Sequence, residues 1–381
     1  MYEFAVFITS FFEGFYMFKV LVRRWRVVTD KMARVDGRSS FYVYNELMPA
    51  YFGLDIGTSS LKLAHVEGKK VHSLGLANNT QAKNVMEMNN AEKIALVELV
   101  KHLVKDSGVK PHQVVASIAE PLVFSRVMKF PVMSSPELAT AIKWELDQTV
   151  PFPPAEIEVS WVIMQKPQRA TGEEQISVYV VATPNKVSET YTNILELAGL
   201  EPIRLENEIP ALSRAFAPSL TDQSPGLVMN MGASGTTMIV GGREIIYNNY
   251  YVPVGGNALT KFIADSFNLP LDQAESYKRT YGIAKDQLEG RLYSVLKPII
   301  DNIVGEAKKL IVSFQNDNKG TTVGRIVITG GGSYLNGILP YMTESFPNTE
   351  VIIGDVFTGM SVPEKYRGLG PVFDLACGLS S

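Results

Sequence analysis

Apolar and polar residues follow two different periodicities along this chain, and a strand-like pattern begins at Tyr51. Between 91 and 107 the apolar residues instead recur every three or four positions, which predicts an amphipathic helix. We expect Asn90 to cap this helix and Gly108 to end it. The strands predicted in this region are Tyr51–Ile56, Ser60–Glu67, 70–77 and 114–118.

A block between about 121 and 201 has a pattern of its own. Its predicted elements are a strand at 123–130, a helix at 135–148, a hairpin of strands at Ile157–Gln165 and 175–183, and a helix at 185–198. Ser134 or Ser135 is the expected cap of the first helix, where Pro136 is tolerated because the first turn has unpaired N–H groups anyway. The polar residues 166–174 are expected to be mobile. The block therefore predicts a small α+β subdomain inserted into a first lobe.

A second strand-rich region begins near Gly226. Its predicted strands are 227–231, 236–240, 244–252, Arg325–Thr329 and 351–354, and its predicted helices are 255–267, 272–281, 287–314 and 335–345. We therefore divide the chain into an N-terminal extension (1–47), a first lobe (48–225) that carries the inserted block, and a second lobe (226–381).

Two short segments that follow predicted strands read alike: Asp55-Ile56-Gly57-Thr58-Ser59 and Asn230-Met231-Gly232-Ala233-Ser234. A phosphate group needs backbone N–H groups that no Cβ shields, and glycine followed by Ser or Thr at a bend supplies them. A third cluster, Gly330-Gly331-Gly332-Ser333, suits close approach of the backbone to adenine and ribose. The two similar loops predict a duplicated fold that closes on a nucleotide from both sides.

The composition narrows the class of protein. At 381 residues the chain is too long for one simple core, which favours two large lobes. A net charge of −3 argues against non-specific nucleic-acid binding. The single cysteine, Cys377, excludes an internal disulfide framework and a cysteine-based metal site, which fits a reducing, cytoplasmic setting. The four histidines lack the spacing of metal ligands.

The first 47 residues differ from the rest. Residues 1–22 are apolar and aromatic, and Arg23, Arg24 and Arg26 follow them. Three interpretations stay open: a signal peptide without a small-residue cleavage site, a membrane-surface or marginal spanning segment, or an upstream extension that is not translated. We favour the third, because Met48 leads directly into the first motif strand.

The residues around the glycine turns have the chemistry of a nucleotide site. Asp55 is expected to hold hydrated Mg²⁺ through water, because it would repel phosphate directly. Glu206 and Glu208 are candidate catalytic residues that could position an attacking water, although either could be an ordinary surface carboxylate. The other predicted cofactor-binding residues are Gly57, Thr58, Ser59, Ser60, Lys62, Asn230, Gly232, Ser234, Gly235, Thr236, Gly255, Gly256, Gly330, Gly331, Gly332 and Ser333.

In this order the motifs resemble those of the actin/hexokinase/chaperone-ATPase superfamily, with a phosphate-1 motif at 53–59, a phosphate-2 motif at 230–237 and an adenosine motif at 328–333. Within that superfamily the chain is similar to the PilM family of type IV pilus assembly proteins and to its cell-division relative FtsA. The segments that narrow the resemblance are 51–63, 143–146 (Lys-Trp-Glu-Leu), 150–153 (Val-Pro-Phe-Pro), 208–215 and 254–260.

The resemblance implies an α/β fold of duplicated actin/hexokinase-like, ribonuclease-H-like lobes around a nucleotide cleft. It implies a cytoplasmic protein that binds ATP with Mg²⁺ and captures the N-terminal cytoplasmic segment of the membrane protein PilN. Such a protein would link PilN and PilO to the pilus motor complex, and its contact with the inner membrane would be indirect, through PilN. A groove bordered by the inserted subdomain is the implied peptide site.

The chain departs from the family pattern at Asn230, where the family has Asp. An amide lacks the charge that polarises metal-bound water, so we expect at most slow ATP hydrolysis, and no loss of nucleotide binding in Asn230→Asp. Two alternatives stay open. One is an FtsA-like filament-forming protein, although residues 374–381 are too short for an amphipathic membrane helix. The other is a small-molecule kinase, which needs a carboxylate base aimed at a substrate hydroxyl.

Overall fold

The computed structural model describes residues 50–165 and 175–381, and the predicted extension (1–47) and polar segment (166–174) lie outside the described residues. The strands are β1 (Tyr51–Ile56), β2 (Ser60–Glu67), β3 (Lys70–Asn78), β4 (Gln113–Ile118), β5 (Phe124–Pro131), β6 (Ile157–Gln165), β7 (Gln175–Pro184), β8 (Glu201–Asn207), β9 (Gly226–Met231), β10 (Thr236–Gly241), β11 (Ile246–Val252), β12 (Arg325–Thr329) and β13 (Glu350–Ile353). The α-helices are α1 (Asn90–Ser107), α2 (Ser135–Thr149), α3 (Asn185–Leu197), α4 (Glu208–Phe216), α5 (Gly256–Phe267), α6 (Leu271–Tyr281), α7 (Arg291–Asp317), α8 (Ile338–Ser345) and α9 (Asp374–Leu379).

Two five-stranded sheets of the same topology form the centres of the two lobes. Their strand orders are β3-β2-β1-β4-β8 and β11-β10-β9-β12-β13. In each sheet, three strands that are consecutive in sequence form an antiparallel meander. A later strand pairs in parallel with the first strand of the meander, and the last strand pairs in parallel with that later strand. The repeated order confirms the predicted duplicated lobes.

Each sheet presents a glycine turn at the same place in its topology, between the first two strands. The closing residue pairs are Ile56 with Leu61 and Met231 with Thr236. The Asn79 side-chain amide donates to the Gly57 carbonyl oxygen at 3.1 Å, which holds the first turn against the sheet. In the second turn the Gly232 N–H donates to the Gly235 carbonyl oxygen at 2.9 Å. The two turns therefore occupy equivalent positions in the two lobes.

The inserted subdomain is a three-stranded antiparallel sheet, β5-β7-β6, covered by α2. Leu138, Ile142 and Leu146 follow each other along one face of α2 and pack on this sheet in a core of their own. The following helix, α3, instead packs its buried side chains into the core of the first lobe. We therefore propose to end the inserted subdomain near Pro184 rather than at 201.

Several helix starts differ from the sequence-based positions, and the local cause is clear for two of them. Asn89, not Asn90, caps α1: its side chain accepts from the Glu92 N–H at 3.0 Å, and the Glu92 carboxylate accepts from the Asn89 N–H at 2.8 Å. Helix α7 begins at Arg291, because Gln287–Gly290 forms a separate 3₁₀ turn that contains three residues with positive φ. Within residues 50–165 and 175–381, no helix is both long and apolar enough to cross a membrane.

The chain returns to the first lobe at its C-terminal helix. Helix α9 packs on α4 and on β1, so the predicted second-lobe segment 226–381 ends against the sheet of the first lobe. The approach is close because glycines face it: a Cβ on Gly53 would collide with Ala376 and Leu379, and one on Gly378 would overlap the backbone of Ala211. Helix α9 therefore joins the two lobes at the base of the space between them.

Candidate functional site

A cavity of about 1500 Å³ lies between the lobes, and the three glycine-rich turns predicted from the sequence all line it. A cavity of this size can hold a nucleotide, since small-molecule sites are typically some hundreds of Å³. The predicted site residues that line it are Asp55, Gly57, Thr58, Ser59, Ser60, Lys62, Glu208, Asn230, Gly232, Ser234, Gly235, Gly255, Gly256, Gly330, Gly331 and Gly332.

Thr236, Ser333 and Glu206 are not among the lining residues. The Thr236 hydroxyl donates to the Val254 carbonyl oxygen at 2.8 Å, and the Ser333 hydroxyl donates to the Gly330 carbonyl oxygen at 2.7 Å, so both support the turns internally. Glu206 accepts two hydrogen bonds from the Arg214 guanidinium, at 2.6 and 2.9 Å. This bidentate ion pair gives Glu206 a structural role, and Glu208 is the candidate base that faces the cavity.

The second glycine turn is held by the start of α5. The Gly256 N–H donates to the Gly232 carbonyl oxygen and the Asn257 N–H donates to the Ala233 carbonyl oxygen, each at 2.9 Å. A Cβ on Gly255 would come within 2.6 Å of Gly232 and of Gly235. Glycine at 255 is therefore needed for close packing, and the N–H of Gly256 orders the turn.

The third glycine turn has two kinds of glycine. Gly330 has a φ of +76°, and a Cβ there would lie 2.6 Å from the Asn230 side-chain oxygen, so only glycine fits both the backbone and the space. A Cβ on Gly331 would meet no atom within 4 Å. Gly331 therefore borders open cavity, as expected of a surface that a flat ring could approach.

Asp55 lies at the end of β1 in a charged, hydrogen-bonded cluster. Its carboxylate accepts from Lys62 Nζ at 2.9 Å and from the Ser117 hydroxyl at 3.0 Å. Burial alone would lower the pKa of Lys62, but the charge of Asp55 and the hydrogen bond to it outweigh that effect and raise the pKa above its ordinary value. Lys62 is therefore fully charged, and in this structure it neutralises Asp55.

Glu208 is the first residue of α4 and is buried beside the cavity. Its carboxyl group accepts from the Thr237 hydroxyl at 3.0 Å, which connects the first lobe to the second. Burial, together with the negative charges of Asp55 and Glu120, raises the pKa of Glu208 to about 8. At neutral pH the group therefore carries a proton in this state, and must lose it before it can act as a base.

Sequence reasoning missed several polar groups in the lining, among them Lys278 and Asp374. Lys278 on α6 donates to the Gly256 carbonyl oxygen and the Thr260 hydroxyl, both at 2.9 Å, and pairs with Glu275 at 2.6 Å. The sequence signal for Lys278 was its position three residues after Glu275 in α6, the spacing of an ion pair on one helix face. Asp374 at the start of α9 also lines the cavity, and burial raises its pKa to about 7. No sequence signal marked Asp374, because its neighbours come from distant segments.

The residues present fit a magnesium–nucleotide complex. Among the described residues, no group of three or more acidic, histidine or cysteine side chains could form a metal cage. Mg²⁺ commonly keeps several waters and relies on one or two carboxylates plus substrate phosphates, so Asp55 beside a glycine turn suits it without such a cage.

Comparison with known proteins agrees with the fold. A family model described as "Type IV pilus assembly protein PilM" matches residues 53–380. A solved structure described as a "PilM-PilN type IV pilus biogenesis complex" superposes with a TM-score of 0.73 at 25% identity, covering 87% of this chain and 98% of that one.

More distant relatives share the fold. The ethanolamine utilization protein EutJ of Carboxydothermus hydrogenoformans superposes with a TM-score of 0.51 at 18% identity, over 87% of this chain and 89% of that one. The cell division protein FtsA of Neisseria meningitidis serogroup B is 24% identical over 235 residues, 53% of each chain, so the chain spans about half the length of this curated relative. These likenesses confirm the predicted actin-like fold. Because the family match runs from residue 53 to residue 380, the chain belongs to the PilM family of type IV pilus assembly proteins.

Proposed function

We propose that this protein is an ATP-binding scaffold of the type IV pilus inner-membrane assembly platform, and that it docks the N-terminal segment of PilN. The observation that carries the proposal is the meeting of three glycine turns from two lobes around one cavity. Proteins use such turns to approach phosphates and a nucleoside with the backbone. A cavity between two lobes also lets a ligand favour one lobe arrangement over another.

We propose that both lobes contribute residues to nucleotide binding. The turns at 57–60 and 232–235 would hold the phosphates, and Gly330–Gly332 would approach the nucleoside. A bound Mg²⁺ ion would neutralise phosphate charge. Asp55 would orient its waters, with Lys62 holding the Asp55 carboxylate in place. Lys278 and Glu275 extend the polar lining on the α6 side.

We propose that the nucleotide acts mainly as a conformational ligand and is hydrolysed slowly. Glu208 is protonated at neutral pH in this arrangement, and Asn230 carries no charge. A ligand shifts a conformational equilibrium only by its differential affinity for the two states. The hydrogen bond from Thr237 to Glu208 is one contact between lobes that such a ligand could strengthen or break.

The partner proposal rests on the likeness to the PilM-PilN complex, which covers 98% of that chain. The inserted subdomain offers apolar surface for a peptide, since Trp144 on α2 is 64% exposed and Phe152 is 39% exposed. Exposed aromatic side chains are common anchors at protein interfaces. Docked in this way, the protein would lie at the cytoplasmic face of the inner membrane and connect PilN and PilO to the pilus motor.

Nucleotide binding is tested by calorimetric titration of the protein with Mg²⁺ and ATP. Gly331→Leu should weaken the affinity by more than about tenfold, ~1.4 kcal/mol, because its side chain grows into the cavity without meeting the protein. Gly305→Leu is the matched control, since its Cβ also meets nothing within 4 Å but Gly305 lies outside the cavity. Absence of binding by the unmodified protein at millimolar nucleotide would refute the proposal.

Partner binding is tested with a fluorescent peptide of the N-terminal cytoplasmic segment of PilN from the same organism, measured by anisotropy. Trp144→Ala should weaken binding, while Ile94→Ala should not, although Ile94 on α1 is equally exposed at 63%. A scrambled peptide controls for charge. Equal binding of the scrambled and native peptides would argue against PilN as the partner.

A further inference from the structure

A buried hydrogen bond joins the second glycine loop to the C-terminal helix. The Asn230 side-chain amide donates to a carboxylate oxygen of Asp374 at 2.8 Å. Asp374 is 2% exposed and Asn230 is 8% exposed, and both line the cavity between the lobes. The side chain at 230, where the resembling family carries a carboxylate, therefore touches a carboxylate that comes from elsewhere in the chain.

Among residues 50–165 and 175–381, the hydrogen-bond donors to Asp374 are all uncharged. The same oxygen that accepts from Asn230 also accepts from the Thr329 hydroxyl at 3.0 Å, and the other oxygen accepts from the Leu375 N–H at 2.6 Å. Asp55 differs, because Lys62 contacts it directly at 2.9 Å. Three neutral groups thus hold the Asp374 carboxylate in one orientation. None of the three forms an ion pair with it.

The position of Asp374 makes it a link between lobes. Helix α9 packs on α4 and β1 of the first lobe, whereas Asn230 and Thr329 end β9 and β12 of the second. The carboxylate therefore sits where the two lobes meet at the base of the cavity. It shares the lining with Asp55 of the first glycine turn and with the glycines of the third turn.

We propose that Asp374 supplies the carboxylate that the second loop lacks at Asn230, so that Asp55 and Asp374 together orient the waters of a divalent cation bound to the nucleotide phosphates. This inference rests on the proposed nucleotide-binding function. A carboxylate repels phosphate, but it accepts hydrogen bonds from the waters that Mg²⁺ retains. Asn230 then acts as a positioning residue, because its amide holds the carboxylate rather than the cation.

The contact between Asn230 and Asp374 also predicts how Asn230→Asp affects thermal stability. A carboxylate at 230 would face the Asp374 carboxylate at hydrogen-bond distance, and two like charges cannot both stay ionised at that separation without a cation. We therefore expect Asn230→Asp alone to lower thermal stability in the absence of Mg²⁺. The double variant with the two residues exchanged, Asn230→Asp with Asp374→Asn, keeps one carboxylate and one amide. We expect this exchanged pair to restore the thermal stability.

The test measures nucleotide affinity with Mg²⁺ and with EDTA for each variant, so that the contribution of the cation is separated from that of the nucleotide. Asp374→Asn should reduce the Mg²⁺-dependent gain in affinity about tenfold, the loss expected for one charge-assisted hydrogen bond, and should leave the affinity in EDTA unchanged or higher. The exchanged pair should recover most of the gain. Asp286→Asn, an exposed acid outside the cavity, is the control for net charge.

The outcomes separate this inference from the proposed function. If the unmodified protein binds nucleotide and Asp374→Asn keeps the full Mg²⁺ dependence, the role of Asp374 is wrong and the nucleotide function stands. If the unmodified protein binds no nucleotide, both are wrong. Asp374→Ser provides a second uncharged variant if Asp374→Asn does not fold, because its smaller side chain also removes the carboxylate. Circular dichroism of each variant establishes which ones are folded.

Discussion

At the scale of single residues, local signals located the turns that line the cavity, and no local signal marked the contacts between distant segments. The turns at 57–60 and 232–235 could be found because glycine followed by Ser or Thr after a strand has a backbone reason to be there. Asp374 gave no such signal: its contact with Asn230 joins residues 144 positions apart. Lys62 was expected near phosphates, and its ion pair with Asp55 became visible only once the strands β1 and β2 were paired.

The buried carboxyl group of Glu208 predicts a pH dependence of stability. Its pKa is about 8 in the folded protein and its ordinary value is 4.5. Between these values the unfolded chain releases a proton that the folded chain keeps, so the free energy of unfolding should decrease as pH rises from about 4.5 to about 8, and level off above that. The pKa of Asp374 is raised from 3.8 to about 7, so this group also lowers the free energy of unfolding as the pH rises between these two values.

Glu208→Gln removes one of these two titrations. Its free energy of unfolding, measured by urea denaturation at pH 5 and pH 8, should decrease less between the two values than that of the unmodified protein, by a few kcal/mol at most. Glu364→Gln is the control, since this side chain is 76% exposed. An unchanged pH dependence in Glu208→Gln would mean that the folded protein does not hold this carboxyl group protonated.

At the scale of elements, the hairpins and the longer helices were predicted, whereas an edge strand and the short helices α4 and α9 were not. Strands β1, β2, β9 and β10 pair with near neighbours in sequence, so their apolar runs and glycine turns suffice. Strand β8 was missed because it is partly exposed along nearly its whole length and shows no alternation of buried and exposed residues. The parallel partner of β8 is β4, which lies far upstream in the sequence. Helix α4 begins directly after β8 and has a proline as its third residue.

The close packing of α9 on β1 predicts a large effect for a small substitution. In Gly53→Ala the added methyl group would collide with the backbone oxygen of Ala376, which cannot move without the helix. We expect a loss of about 1–3 kcal/mol in the free energy of unfolding. Gly305→Ala, in the interior of α7 with open space around it, should instead stabilise the protein by up to about 1 kcal/mol.

Urea denaturation followed by circular dichroism compares the two alanine variants directly. The structure requires them to shift the denaturation midpoint in opposite directions. Equal midpoints would show that α9 does not pack on β1 as described. Because α9 also carries Asp374, Gly53→Ala should in addition weaken Mg²⁺-dependent nucleotide binding.

At the scale of the whole molecule, the fold class followed from the motif order, and the relation between the parts did not. The PilM family match runs over residues 53–380, whereas the FtsA likeness covers 53% of each chain, so the filament-forming alternative has the narrower support. What the sequence could not give is the contact between the inserted subdomain and the second lobe. Strand β5 packs against β11, and Lys129 pairs with Asp317 at 2.9 Å across this boundary.

One polar network could couple the inserted subdomain to the nucleotide cavity. The Asn249 amide on β11 donates to the Ser125 hydroxyl at 2.9 Å, and Ser125 in turn hydrogen-bonds Glu120. The Asn207 amide also donates to Glu120, and the next residue in the chain is Glu208, which lines the cavity. A chain of buried and partly buried hydrogen bonds therefore runs from the second lobe through the base of the inserted subdomain to Asn207, the neighbour of Glu208 in the sequence.

We expect this network to link the binding of PilN peptide to the binding of nucleotide. If nucleotide favours one arrangement of the lobes, the peptide affinity should differ with and without Mg²⁺ and ATP, and the nucleotide affinity should change by the same factor when peptide is present. Asn249→Ala should reduce that factor. Asn318→Ala is the control, because Asn318 also lies in the second lobe, outside the cavity, and its side chain donates to the Phe314 carbonyl oxygen at 2.9 Å. Peptide titrations of the three proteins measure the factor; if Asn249→Ala leaves it unchanged, the coupling does not pass through Ser125 and Glu120, and contacts such as Thr237 with Glu208 must carry it.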